Sequence, residues 1–188
     1  DKTIKLWDMA SGRELKTFGG FEAWIQSLEF SPDGKKLVTG NRKDLHVYDI
    51  DAGGKEIFNQ VVHADDINAL AFTDDGKILA TTSEMENPAK DGAMFEIKFW
   101  NFPGMILKKR MQAKGNVASM RFESNSELLV VGTKQILHIN VGTGAITSTE
   151  DFESTGISKL SPDGNWIVRD DYDSKPAESD DPDDMNLF

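Results

Sequence analysis

The segment S-L-E-F-S-P-D-G-K-K-L-V-T-G at residues 27–40 decides the fold, because the chain repeats it. It returns as A-L-A-F-T-D-D-G-K-I-L-A-T-T at 69–82, as S-M-R-F-E-S-N-S-E-L-L-V-V-G at 119–132, and as S-K-L-S-P-D-G-N-W-I-V at 158–168. In Pro32-Asp33-Gly34 the proline presets φ and the glycine accepts a positive φ, so two short apolar runs are joined by a tight turn. A second apolar block follows the first three copies: L-H-V-Y-D-I at 45–50, I-K-F-W-N-F at 97–102 and I-L-H-I-N-V at 136–141. The chain opens with the same block, I-K-L-W-D-M at 4–9. The runs are rich in Val, Ile, Leu, Phe and Trp and are bounded by turn residues such as Ser11-Gly12, Gly53-Gly54, Pro103-Gly104 and Thr143-Gly144, which is strand chemistry. No helical period is sustained, so an all-β chain is expected.

Measured from the residue before each turn, Phe30 to Phe72 is 42 residues, Phe72 to Phe122 is 50 and Phe122 to Leu160 is 38. These spacings lie around the roughly 40–45 residues of one four-stranded propeller blade, and the longest requires an insertion. With T-I-K-L-W-D at 3–8 and two S-P-D-G turns, the chain resembles the WD-repeat family over residues 1–169. The resemblance implies a WD-repeat β-propeller with three complete four-stranded blades and two half blades, part of a larger ring. The blades fall at about 1–18 (partial), 24–61, 66–111, 116–150 and 155–169 (partial), followed by an acidic, disordered tail at 170–188. It also implies strands a to d running outward from a central channel, with the d-to-a and b-to-c loops on one face, the top.

The family's structural network of His, Ser/Thr, Asp and Trp maps onto His63, Trp7, Trp100 and Asp1, with Asp44 and Asp91 as displaced candidates. Phe21, Ala113 and Glu153 stand where the other blades would carry the histidine, and Tyr48 and Ile139 replace the strand-c tryptophan. The network is therefore expected to be incomplete in every blade.

An array of blades with bare ends exposes apolar sheet. A chain cut from a longer propeller protein is the first expectation. The others are a homodimer in which two chains close one ring by exchanging half blades, if the chain is complete, and a monomer closed by its own halves.

The net charge of −11 argues against nucleic acid, whose backbone is bound by clustered Lys and Arg. Residues 170–188 hold eight of the acids and one lysine, so the body is only mildly acidic. That tail lacks the spacing of a calcium loop and reads as a solvated segment. The absence of cysteine removes disulfides and thiolate metal sites and favours the cytoplasm. No apolar run is long enough to span a bilayer, so no membrane role is expected.

His63, near Asp65 and Asp66, has the residue types of a general base, but no nucleophile elbow accompanies it, and the resemblance gives it a structural role. His46 is expected to be exposed and His138 to be a half-buried packing residue; three separated histidines make a poor zinc site. No catalytic group, metal or cofactor is expected, and the chain is read as a non-enzyme.

Function is expected on loops of the top face. Trp24, Asp66, Asn116 and Gly156 occupy equivalent rim positions just before strand a, where the resemblance implies peptide binding. Met85, Met94 and Phe95, in the insertion at 84–95, are offered as further contacts for a protein or peptide partner of basic character. The alternative is a regulatory or sensor propeller attached to a catalytic domain outside this chain. A propeller hydrolase would need clustered ionisable groups at the channel mouth.

Overall fold

A computed structural model of the chain describes residues 2–86 and 92–151 together with the backbone of two later strands at 158–160 and 167–169. Every regular element among them is a strand: β1 (Ile4–Trp7), β2 (Glu14–Phe18), β3 (Ile25–Phe30), β4 (Lys36–Asn41), β5 (Asp44–Asp49), β6 (Lys55–Val61), β7 (Ile67–Phe72), β8 (Ile78–Met85), β9 (Met94–Asn101), β10 (Ile106–Lys114), β11 (Ser119–Ser124), β12 (Glu127–Val131), β13 (Gln135–Asn140), β14 (Ile146–Asp151), β15 (Ser158–Leu160) and β16 (Ile167–Arg169). They form three four-stranded antiparallel meanders, β3-β4-β5-β6, β7-β8-β9-β10 and β11-β12-β13-β14, flanked by the pairs β1-β2 and β15-β16. Three whole blades and two half blades are thus present, as the repeats imply.

The repeated segments form equivalent hairpins. Phe30 pairs with Leu37, Phe72 with Leu79 and Phe122 with Leu128. Between them, the Ser31 hydroxyl donates to Asp33 at 2.6 Å and accepts from the Lys36 N–H at 2.9 Å, while Thr73 makes the same two bonds to Asp75 and Ile78 at 2.8 and 3.0 Å. Gly34 turns the chain at φ +71°, where a side chain would be strained. The third turn is one residue shorter and relies on Ser124 and Ser126 instead.

Contacts between sheets run through their first strands: β3 meets β7, β7 meets β11, and β11 meets β15. First strands therefore cluster at the axis, and the last strands β6, β10 and β14 lie outermost with mostly exposed side chains. The middle strands are covered on both faces, which explains their continuous apolar runs. In β4, Leu37 packs with Ile4, Phe18, Phe21 and Tyr48 on one side, while Val38 packs with Ile67, Leu70 and Leu79 on the other. In β8, Leu79 faces that second cluster, whereas Ala80 faces a third with Phe95, Ile97, Phe99, Phe122, Leu128 and Ile139. Each fully buried Leu, Ile or Phe stabilises the array by about 1.5–3 kcal/mol. At Gly40 the sheets come so close that a Cβ would stand 2.8 Å from Ile67 Cβ, so this position admits only glycine without a shift.

Two expectations are corrected here. The stretch 84–95 is not a loop throughout: β8 and β9 continue past the length of their counterparts, pairing Glu84 with Phe95 and Met85 with Met94, and β10 follows with Ala113 and Lys114. Phe95 is consequently a fully buried core residue and no contact for a partner, because strand alternation turns it inward. His46 is not an exposed strand residue either. Its ring is stacked on Tyr48 and edge-on to Phe21, and its Nδ1 lies 2.7 Å from Glu56 Oε1. Packing by the preceding half blade covers a face that alternation alone would leave open.

Candidate protein-binding surface

In an antiparallel meander, the start of strand a, the end of b, the start of c and the end of d share one end of the sheet. That end carries Trp24, Arg42, Asp66, Met85, Met94 and Asn116. Trp24 precedes β3 and is 77% exposed. Its backbone is nevertheless fixed, since the buried Asn41 side chain donates to the carbonyls of Ala23 and Trp24 at 2.8 and 3.3 Å. A large aromatic ring is thus held in solvent on a rigid support, the arrangement that binding hot spots favour.

Asp66 precedes β7 and accepts from Gln26 Nε2 at 2.9 Å, with Arg42 Nε 3.9 Å from its other oxygen. Arg42 adopts φ +54° and gives its carbonyl to Ile67 N at 2.7 Å, which ties the turn after β4 to the next sheet. Trp24, Gln26, Arg42 and Asp66 line one depression of about 300 Å³, with Lys2 and Glu22 at its edge. The structure therefore brings Trp24 and Asp66 together. It keeps Asn116 apart, because Asn116 Oδ1 accepts from the N–H and hydroxyl of Thr133 at 3.1 and 3.0 Å within its own blade. Met85 and Met94 are half-buried partners on the lengthened hairpin. Gly156, Glu153, Asp91, Asp1 and the tail at 170–188 lie outside the described residues.

A larger, apolar groove of about 630 Å³ runs beside β1, lined by Leu6, Trp7, Met9, Trp24, Leu28 and Phe30 among others. Among the described residues β1 pairs with β2 alone, and Trp7 is half exposed. Trp7 lines this groove, with Lys5 Nζ 5.7 Å from its ring centre.

In the blade 67–114 the network is more complete than the sequence suggests. Trp100 Nε1–H donates to Thr81 Oγ1 at 3.0 Å, and Thr81 Oγ1 lies 2.7 Å from His63 Nε2, with all three side chains buried. Glu96 Oε2 stands 3.4 Å from His63 Nδ1, off the hydrogen-bonding direction, and 3.1 Å from Lys98 Nζ. The carboxylate beside Nδ1 favours the tautomer with its proton there, so Nε2 accepts from threonine. Strand position hid this role: Glu96 sits on β9 itself, and the alternating signal Glu96-Ile97-Lys98 marks the face it shares with Lys98.

Burial first, and the neighbouring Lys98 charge second, lower the His63 pKa from 6.5 to about 4, against the opposing pull of Glu96. The unfolded chain then takes up a proton below about pH 6.5 that the folded chain refuses until about pH 4, so stability is held above that window and lost as pH falls through it. The expected loss from this group is up to about 3 kcal/mol. Urea midpoints of the wild type and His63→Gln at pH 7 and pH 4.5 check it: the two proteins should diverge in slope, and parallel behaviour would refute the assignment.

Among the described residues one group could hold a metal ion. Glu123, Glu127 and His138, from β11, β12 and β13, place one ligand atom each within 4.8 Å of one another. His138 Nδ1 lies 3.6 Å from both carboxylates, and its Nε2 lies 3.6 Å from Glu150. Glu123 and Glu127 flank one tight turn, and pairing of β12 with β13 brings His138 to them. The carboxylates also surround the imidazole on two sides, and Arg121 lies 3.7 Å from Glu123.

Repeating four-stranded meanders joined at their first strands define an array of propeller blades. The family model for the WD domain, G-beta repeat, matches two stretches of the chain, residues 12–49 and 54–91. It is 28% identical over 175 residues to the serine-threonine kinase receptor-associated protein of Mus musculus, covering 89% of this chain and 46% of that protein. It is 29% identical over 131 residues to the target of rapamycin complex subunit wat1 of Schizosaccharomyces pombe, covering 69% of this chain and 39% of the other. The chain thus spans less than half the length of these relatives. Among solved structures, U3-55K matches with a TM-score of 0.62 at 14% identity over 84% of this chain and 44% of that one, and the RRP9 WD40 repeats match with 0.61. At that identity the likeness shows the fold alone. No helix among the described residues is long and apolar enough to cross a membrane.

Proposed function

We propose that the chain is a non-catalytic scaffold that binds a protein or peptide on the loop end of its blades, at the depression holding Trp24 and Asp66. The observation that carries this reading is the exposed Trp24 ring on a clamped backbone, beside an aspartate at hydrogen-bond reach of the solvent. The relatives' names, a receptor-associated protein and a complex subunit, agree with a role in protein assemblies. In this reading Trp24 covers an apolar or planar side chain of the ligand, and a basic group displaces Arg42 from Asp66. Because the depression also holds Lys2 and Arg42, ligand charge is read locally at Asp66 rather than by the net charge of the chain.

Selection of displayed peptides on the immobilised protein, followed by titration of the winners, tests the proposal. Trp24→Ala with Asp66→Asn is expected to weaken binding at least about tenfold, or about 1.4 kcal/mol, while Asn116→Ala changes it little. Equal binding by the double variant would move the site elsewhere.

A further inference from the structure

The outer strands of the blades differ sharply in charge. β2 carries Glu14 and Lys16, β6 carries Lys55 and Glu56, and β14 carries Glu150 and Asp151 with no base. β10 carries Lys108, Lys109, Arg110 and Lys114 and no acid, in a chain of net charge −11. It is also the longest of them, at nine residues against seven for β6 and six for β14. Among the described residues it pairs with β9 alone, so its other side presents backbone donors and acceptors outward. Lys108 and Arg110 are exposed, and Ile106 and Leu107 beside them are exposed apolar residues. Lys109 is partly covered and donates to the Gly142 carbonyl of the next blade, which anchors the strand.

We infer that the free edge of β10 is a second docking surface, one that takes an extended acidic segment of a partner protein as an added antiparallel or parallel strand. Backbone pairing supplies the affinity and the carboxylates select the lysine- and arginine-bearing edge. Charge complementarity favours this occupant, and so does the outward edge of the strand at residues 106–112, along which a peptide can pair. Nucleic acid suits it less, because β10 has no aromatic side chain on which a base could stack. The competing explanation is that the lysines only guard an edge against self-association.

Fluorescence anisotropy with the full chain separates these. The probe is a labelled decapeptide of alternating Thr and Glu, whose charges repeat along one face of a strand. Saturable binding is expected, weakened at least about tenfold by Lys108→Glu with Arg110→Glu, unchanged by Lys55→Glu on β6, and abolished when alternate amides of the peptide are N-methylated. The N-methylated peptide tests the unmodified protein, so the proposal stays falsifiable even where the reversed variant folds poorly. Absence of binding supports a guard role and overturns the inference. So does binding that survives N-methylation, stronger binding of a single-stranded RNA decamer, or stronger binding of a peptide of residues 170–188, which would make the chain's own acidic segment the occupant.

Discussion

Phe95→Ala is expected to destabilise the protein by about 3–5 kcal/mol, the range for emptying an aromatic site in a packed core. The ring is fully buried and belongs to the cluster that joins β8, β9 and β10 to β11, β12 and β13. Its loss opens a cavity between two blades rather than inside one, so amide exchange should accelerate in both sheets together. Met94→Ala and Met85→Ala, on the same hairpin but only half buried, should each cost about 1 kcal/mol or less. Should Phe95→Ala leave the urea midpoint unchanged and impair partner binding instead, the residue would be a contact after all.

The second large effect is expected at Thr81. Its hydroxyl is the shared partner of the Trp100 indole N–H and of His63 Nε2. Thr81→Val keeps the shape and removes the oxygen, leaving two buried polar groups unsatisfied at about 1–3 kcal/mol each, or about 2–6 kcal/mol in all. Thr81→Ser retains the hydroxyl and should stay within about 1 kcal/mol of the wild type. Urea unfolding and exchange protection in β7 to β10 measure the pair; equal stability of Thr81→Val and wild type would show that the relay contributes nothing to this blade.

What the sequence revealed was whatever local chemistry determines. The hairpins of 27–40 and 69–82 follow from Ser31 or Thr73 with Asp33 or Asp75 and a glycine at positive φ, all within six residues of one another. The blade order follows from the same repeats, and Trp24 beside Asp66 follows from equivalent positions before successive first strands. What stayed hidden depends on register and on neighbouring sheets. Phe95 turns inward because the lengthened hairpin keeps its alternation beyond the usual end, and His46 is covered by Phe21 from the preceding half blade. Glu96 reaches His63, and Glu123 and Glu127 reach His138, only once strand pairing sets the register that brings them together. In the sequence Asp66 reads as a contact for a basic partner, and the fold already sets Arg42 against it.

The extra rungs of β8, β9 and β10 also govern access. With eight, eight and nine residues against six, six and seven in the preceding blade, this blade rises above its neighbour on the ligand-bearing end. A straight peptide leaving Trp24 across that end meets a parapet one blade away. Its footprint is therefore short, and a ligand that continues must bend toward the axis or climb over Met85 and Met94.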